Sequence, residues 1–165
     1  MDLEKLKREA ASLEKLVSDL RQALSDLPPT GGQAFEKVRG RLSWPVAGKI
    51  TARFGQARGG GLKWNGVMID APRGSAVKAL YDGRVAYADW LPGMGLLVIV
   101  DHGGYMSLYA HNEQVYKSAG DRVEGGEAIA TVGDSGGRSQ PGLYLEIRRG
   151  TKPVDPVPWF RRPNP

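Results

Sequence analysis

The chain has 165 residues, enough for one domain with a hydrophobic core and an appendage, whereas two complete domains would be a tight fit. It contains no cysteine, so disulfides, thiolate zinc sites and cysteine nucleophiles are excluded together. No apolar run is long enough to predict a membrane-spanning helix, and the N-terminus lacks a signal-peptide pattern, which leaves the compartment open. The net charge of +5 favours an acidic partner. Because the basic residues are spread along the chain, an anionic polymer or an acidic protein surface fits better than nucleic acid.

Residues 1–27 have the pattern of a coiled-coil helix. Apolar side chains recur at alternating steps of three and four, with charged and polar residues between them: Leu3, Leu6, Ala10, Leu13, Val17, Leu20 and Leu24. We predict a helix over residues 3–26 that ends before Pro28. A strict heptad seam is narrower than the face that a globular helix usually buries, so we expect a partner strand outside this chain or from a second copy. The alternative is an amphipathic helix packed on its own domain.

The rest of the chain is predicted to be a linker, a β domain and a short tail. Residues 28–40 form the linker, with room for one or two helical turns over 33–39. Within residues 41–160, segments rich in β-branched, aromatic and apolar residues alternate with glycine turns: 50–54, 76–80, 84–90, 96–100, 106–110, 128–132 and 143–147. This pattern predicts a mainly β, antiparallel domain. The Pro-rich end cannot pair as a central strand, and residues 161–165 form the tail.

A series of short motifs follows one order along residues 41–160. The motifs include Asn65-Gly66, Asp82-Gly83-Arg84-Val85, Asp101-His102-Gly103, Leu108-Tyr109-Ala110-His111, Gly133-Asp134-Ser135-Gly136 and Leu143-Tyr144-Leu145-Glu146-Ile147-Arg148. This order resembles the LytM, or lysostaphin-like, family of zinc metallopeptidases. The resemblance implies the antiparallel β-sheet fold of that family for residues 41–160.

The same resemblance shows that the family's zinc ligands are missing from this chain. Trp64 and Met68 stand at the positions of a ligand histidine and the ligand aspartate, and Gly142 and Tyr144 stand at the two histidines of the last motif. Indole has no lone pair to offer, and thioether and neutral phenol are poor zinc ligands. We therefore predict no metal, no cofactor and no catalytic residue. Asp70, two residues beyond the aspartate position, is a candidate for a shifted ligand, but alone it could not hold zinc.

The chain has two histidines, His102 and His111. His111 falls on a family position that assists the attacking water. Without a metal, we interpret it as a hydrogen-bonded residue of the groove rather than as a catalytic survivor. His102 lies in a glycine-rich turn, and we interpret it as a turn residue.

Three further segments, 62–66, 88–91 and 143–149, resemble the EnvC-type branch of the family, which is degenerate and has an N-terminal coiled coil. That resemblance implies a periplasmic divisome protein of Gram-negative bacteria. It implies a protein that activates N-acetylmuramoyl-L-alanine amidases in septal peptidoglycan splitting and is coupled to the FtsEX complex through its coiled coil. Contact with peptidoglycan is a further expectation, whereas nucleic acid binding and membrane insertion are not expected.

Replacing zinc and its ligands by Trp64, Met68 and Tyr144 turns the floor of a peptide-binding groove into an apolar surface. We predict that a helix of an autoinhibited amidase docks there. The predicted partner-binding residues are Trp64, Asn65, Met68, Met94, Leu97, Tyr109, His111, Tyr144 and Arg148. Arg148 is the expected anchor for an acidic partner residue. Leu97 fits the core equally well, and we assign Trp44 and Trp90 to packing.

Two other functions remain open at this point. A zinc endopeptidase of peptidoglycan with unrecognised ligands would contain stoichiometric zinc after purification without chelators. A passive murein-binding scaffold would be retained by sacculi in a salt-dependent way. Because an open apolar groove invites unwanted contacts, we also expect a helical segment of the longer protein to cover it.

Overall fold

The computed structural model describes residues 3–24 and 32–161 of the chain. Helix α1 spans Leu3–Leu24 and helix α2 spans Gly32–Lys37. The predicted N-terminal helix and the predicted short helix are therefore present. Residues 25–26 of the predicted helix, the start of the linker and residues 162–165 of the tail lie outside the described residues. No helix in the described ranges is long and apolar enough to cross a membrane.

Twelve strands follow α2 within the described residues. They are β1 Lys49–Ala52, β2 Ala57–Gly59, β3 Leu62–Lys63, β4 Val67–Asp70, β5 Ala76–Lys78, β6 Gly83–Leu91, β7 Gly95–Asp101, β8 Tyr105–Val115, β9 Arg122–Val123, β10 Ala128–Val132, β11 Gly142–Arg149 and β12 Lys152–Val154. All seven strands predicted from the sequence overlap one of these. A single 3-10 turn, Val157–Trp159, follows β12.

Ten of the strands form one antiparallel sheet, so the predicted fold class is confirmed. The main order is β1-β4-β11-β8-β7-β6-β9, while β10 pairs with β5 and β8, and β12 pairs with β11. Strands β2 and β3 form a separate hairpin. The Pro-containing strand β12 pairs with β11 alone, as expected for an edge strand.

The sheet has two buried faces, and the alternation of side chains along β8 separates them. Tyr105 and Tyr109 point into a cluster covered by α2 and the C-terminal 3-10 turn, which we call the aromatic face. Met106, Leu108 and Ala110 point into a second cluster, which we call the groove face. The groove face also contains Ala52, Met68, Met94, Leu97, Ile99 and Tyr144.

Helix α1 lies on the groove face. Its seam residues Leu13 and Val17 are buried there, and Leu16, Leu20 and Leu24 pack against the same cluster. The expectation that this seam pairs with a strand outside the chain is thus corrected: the structure has the amphipathic helix packed on its own domain. The physical reason is that the groove face of the sheet offers the seam an apolar surface on which Leu13 and Val17 are buried.

Candidate functional site

The floor of the groove is formed where β4 and β11 pair. Met68 lies opposite Tyr144 in the strand register. The Trp64 ring lies 5.9 Å from the Tyr144 ring, and the His111 ring lies 6.4 Å from it, measured between centroids. Four predicted site residues from separate parts of the chain therefore meet at one place.

This donor set does not fit zinc. The Tyr144 hydroxyl donates a hydrogen bond to Glu146, so it stands there as a neutral phenol. Trp64 has no lone pair and Met68 offers only a thioether, which leaves the His111 imidazole as the single good donor. Asp70 is exposed and pairs in register with Lys49 and Gly142. Within the described ranges, no group of three or more acidic or histidine side chains could hold a metal ion.

A buried charged network runs along the same face of β11. The Tyr144 hydroxyl donates to Glu146 Oε2 at 2.6 Å, and Arg148 Nε donates to Glu146 Oε1 at 2.7 Å. The remaining nitrogens of Arg148 donate to both carboxylate oxygens of Glu14 in α1, at 2.9 Å each, and to the Thr151 carbonyl. Arg148 is 0% exposed although it carries a permanent charge. Its charge is therefore satisfied partly by the strand and partly by the helix.

The charges of this network depend on one another. Burial alone would lower the pKa of Arg148, but attraction to Glu146 and Glu14 raises it above its ordinary value. Burial raises the pKa of Glu146, against the attraction of Arg148. We treat Glu146 as ionised because each of its oxygens already accepts a hydrogen bond from a donor. The terminal nitrogens of Arg148 therefore take part of their acceptors from the helix that covers the groove.

His111 is held in an unusual conformation beside the floor. Its φ of 71° lies in the left-handed region that residues other than glycine rarely adopt. Its backbone N–H donates to the Met94 carbonyl at 2.8 Å, and its Nδ1 bonds the Ser135 carbonyl at 2.8 Å. Burial lowers its pKa to about 4; the bond to Ser135 opposes this change, whereas the charges of Arg138 and Arg58 add to it. The ring is therefore neutral at physiological pH.

A cavity of about 160 Å³ lies next to His111. Four predicted site residues line it: Trp64, Met94, His111 and Tyr144. Arg58, Arg138 and Glu9 of α1 complete its charged lining. The Arg58 guanidinium lies 4.1 Å from the centre of the Trp64 ring, a distance at which a cation is attracted to the ring face.

Two sequence-based assignments are wrong. Tyr109 does not line the groove, because it points to the aromatic face, where its hydroxyl accepts the Leu80 N–H and bonds Ser107. Trp90, which we assigned to packing, is 51% exposed at the end of β6. Trp44 does pack, with its ring stacked 4.0 Å from Phe160.

Two other predicted site residues are Leu97 and Asn65. Leu97 is fully buried in the groove-face cluster, which agrees with the core alternative, and its contact with a partner stays a prediction. Asn65 is half-buried in the turn between β3 and β4, and its contact with a partner stays a prediction.

The sequence reasoning missed Glu14, Arg58, Arg138 and Glu146. The period of two along β11 places Glu146 on the same face as Tyr144 and Arg148 and could have found it. Nothing comparable marks the two arginines of the cavity, which come from separate loops.

Comparison with known proteins gives consistent matches. A family model described as peptidase family M23 matches residues 62–156. The chain is 50% identical over 134 residues to the murein hydrolase activator EnvC of Escherichia coli K12, covering 81% of this chain and 32% of that protein. It is 36% identical over 137 residues to the cell division protein DipM of Caulobacter vibrioides, covering 78% of this chain and 22% of that protein. The chain thus spans a third or less of these two relatives.

Solved structures with the same fold include a zinc-containing peptidase from Vibrio cholerae. The two chains superimpose with a TM-score of 0.65 and 27% sequence identity, over 69% of this chain and 38% of that one.

Proposed function

We propose that the chain, which belongs to peptidase family M23 but shows no donor set for zinc among its described residues, is a non-catalytic regulator. In this proposal it binds and activates a periplasmic N-acetylmuramoyl-L-alanine amidase that splits septal peptidoglycan during cell division. A relative that is named a murein hydrolase activator supports the regulatory role. The amidase, the periplasmic location and a link to the FtsEX complex through parts of a longer protein are all steps of the proposal.

One observation carries it: the groove face already binds an amphipathic helix. Leu13 and Val17 of α1 are buried against the floor, and Glu14 between them reaches Arg148 with both carboxylate oxygens. A surface that holds one such helix is suited to another with the same pattern, two apolar side chains flanking an acidic one. The amidase segment that docks here is therefore expected to be an amphipathic helix with a carboxylate that pairs with Arg148.

Helix α1 and the partner helix cannot occupy the groove together. Activation would then require that α1 leaves and that the groove binds the open amidase more tightly than the closed one. Because α1 contributes one ion pair with a half-exposed partner and a few apolar side chains, its displacement is within reach of a competing helix.

The test follows release of dye from labelled sacculi by the chain alone, a periplasmic amidase alone, and both together. Only the mixture is expected to release dye. The double variant Leu13→Ser/Val17→Ser should lower the concentration that gives half-maximal activation, because it weakens α1 in the groove. Trp64→Ala should raise that concentration about tenfold or more, since it removes an aromatic side chain from the floor.

Tyr116→Ala is the matched control, because this ring is exposed and lies outside the groove cluster. Thermal melts of each variant separate lost binding from lost folding. If the chain alone releases dye and a chelator stops it, the domain is an enzyme and the proposal fails. If sacculi retain the chain but the mixture shows no gain over the amidase alone, the domain is a scaffold and the proposal also fails.

A further inference from the structure

Strand β1 is the first strand of the main sheet in its spatial order. It pairs with β4 on one side, and no strand of the described ranges pairs with it on the other. A strand that ends a sheet directs part of its backbone N–H and C=O groups away from the sheet, where a further strand can pair with them. The outer side of Lys49–Ala52, which we call the β1 edge, therefore offers such groups.

A depression of about 530 Å³ lies against β1 and the turn that follows it. Its lining consists of Ile50, Thr51, Arg53, Phe54, Gly55 and Gln56. Phe54 is half-buried but belongs to neither of the two buried clusters, whereas Phe35 and Phe160 are both core residues. The ring of Phe54 is thus available to an apolar side chain that enters the depression.

The stretch of chain that contains β1 is strongly basic. Residues 37–69 include seven basic residues and no acidic one, while the rest of the chain has a small excess of acidic residues. Lys49 and Arg53 are exposed, and neither forms an ion pair in the described part of the chain. Asp70 lies opposite Lys49 in the strand register, but one carboxylate does not offset the positive charge of the stretch. The β1 edge therefore attracts negative charge.

The same features decide which strand can pair with the β1 edge. An edge lysine and a bulge both hinder pairing between edge strands, and β1 has Lys49 and an irregular register between Ile50 and Ala52. Two copies of β1 side by side would also bring the positive charges of Lys49 and Arg53 together, which disfavours a dimer formed this way. An acidic strand meets no such repulsion, and its carboxylates gain two cationic partners.

We propose that the β1 edge docks an extended acidic segment of a partner protein, which pairs with β1 as an additional strand. Carboxylates of this segment bind Lys49 and Arg53, and an apolar residue between them enters the depression against Phe54. Lys49 and Arg53 are four residues apart, about 13 Å along a strand, so a segment of five residues spans both charges. Docking here does not depend on amidase activation, and no residue lines both this depression and the cavity beside His111.

NMR titration of the chain with the peptide acetyl-Glu-Val-Asp-Leu-Glu-amide tests the proposal. Saturable amide shifts are expected over residues 49–56, with a Kd of about 1 mM or tighter. A version with N-methyl groups on its three central residues should bind about tenfold more weakly, because these residues cannot donate backbone hydrogen bonds to β1. The basic peptide acetyl-Lys-Val-Lys-Leu-Lys-amide should show no saturable binding, because its charges repel those of the edge.

Variants of the chain distinguish the contribution of the charges from that of the depression. Lys49→Gln and Arg53→Gln should each raise the Kd about threefold, and added salt should reduce both differences. Arg122→Gln is the matched control, because Arg122 is exposed on β9, at the opposite end of the strand order. Phe54→Ala should raise the Kd about tenfold. Tyr116→Ala, at an exposed ring outside the depression, should leave the Kd unchanged.

The titration contains no amidase, so its outcome is independent of the activator proposal. The inference is overturned by the absence of a saturable shift at about 10 mM peptide, by equal binding of the basic or the N-methylated peptide, or by equal effects of Arg53→Gln and Arg122→Gln. Shifts over residues 49–56 that depend on the concentration of the chain without peptide would also overturn it, because they indicate that β1 pairs with a second copy.

Discussion

The two faces of the sheet are each covered by a helix, but the two covers differ in kind. Helix α2 is only six residues long, yet it places Phe35 fully inside the aromatic face. The Phe35 ring lies 4.8 Å from His102, 5.0 Å from Tyr105 and 4.7 Å from Trp159. Helix α1 has 22 residues but buries only three of them, Leu6, Leu13 and Val17. The shorter helix is thus part of the core, whereas the longer one lies on it.

The polar groups of the two faces show the same difference. On the aromatic face, His102 Nδ1 donates to the Asp82 carbonyl, Ser107 donates to His102 Nε2, and the Tyr109 hydroxyl donates to Ser107. Tyr109 in turn accepts the Leu80 N–H, so every group is satisfied within the domain. On the groove face, the guanidinium of the fully buried Arg148 depends on Glu14, a side chain that is 50% exposed. The aromatic face is a closed core, whereas a buried charge of the groove face is completed by a side chain of α1.

The largest expected effect comes from opening the aromatic face. Phe35→Ala removes a ring that packs against those of His102, Tyr105 and Trp159 and should lower the free energy of unfolding by about 4 kcal/mol. Urea unfolding monitored by circular dichroism measures this loss of stability as a shift of one cooperative transition. Tyr116→Ala, at a ring that is 55% exposed, should change stability by less than about 0.5 kcal/mol. A loss below about 1 kcal/mol for Phe35→Ala would mean that α2 is not part of the core.

Acid should destabilise both faces, since each contains one neutral histidine. Burial lowers the pKa of His102 and of His111 to about 4, while both titrate near 6.5 when unfolded. Below pH 6.5 the unfolded state binds protons that the folded state excludes, so stability falls as the pH drops toward 4. Between pH 7.5 and pH 5, each histidine should lower the free energy of unfolding by about 2 kcal/mol.

The variant His111→Asn distinguishes the contribution of the groove face to this pH dependence from that of the aromatic face. Asparagine tolerates the left-handed backbone at this position and does not titrate. Denaturant unfolding at pH 7.5 and pH 5 should therefore show about half of the wild-type pH dependence. An unchanged pH dependence would show that His111 is not held neutral in the groove.

A smaller effect should distinguish helix α1, which lies on the groove face, from the core of the aromatic face. Val17 in α1 and Val98 in β7 are both fully buried, on the groove face and in the aromatic-face cluster respectively. Truncating either valine to alanine should cost about 1.5 kcal/mol. Val17→Ala should speed amide hydrogen exchange about tenfold in α1 alone, because α1 opens locally. Val98→Ala should instead lower the global stability. If Val17→Ala speeds exchange equally in β7 and β8, then α1 belongs to the core.

Much of the fold was predictable because the β-rich segments and glycine turns alternate clearly. Strand β4 was missed as a strand, since Val67, Met68 and Ile69 are all buried and give no alternation. The helical period of α1 was also predicted, but its packing partner was not. A packed helix usually buries a wider face than this seam, so its pattern favoured a partner outside the chain over the sheet.

The groove was predictable only where the resemblance named positions. Trp64, Met68 and Tyr144 were found that way and do meet. Tyr109 was misplaced because we assigned it to the groove from the position of its segment. The face of the strand to which its side chain points was not considered. The need of Arg148 for a carboxylate followed from its chemistry, but no pattern in the sequence pointed to Glu14, 134 residues away.

The smallest effect tests the charged contact that links α1 to the groove. Glu14→Gln keeps the shape of the side chain but removes its charge, so α1 should open about fivefold more often, a change of about 1 kcal/mol because Glu14 is half exposed. Amide exchange of α1 at low salt measures it, and added salt should reduce the difference. Asp19→Asn, which breaks the exposed pair with Lys15, should change exchange less than twofold. If the two variants behave alike, Glu146 and the Thr151 carbonyl satisfy Arg148 on their own, and a partner helix would need apolar anchors but no acidic residue.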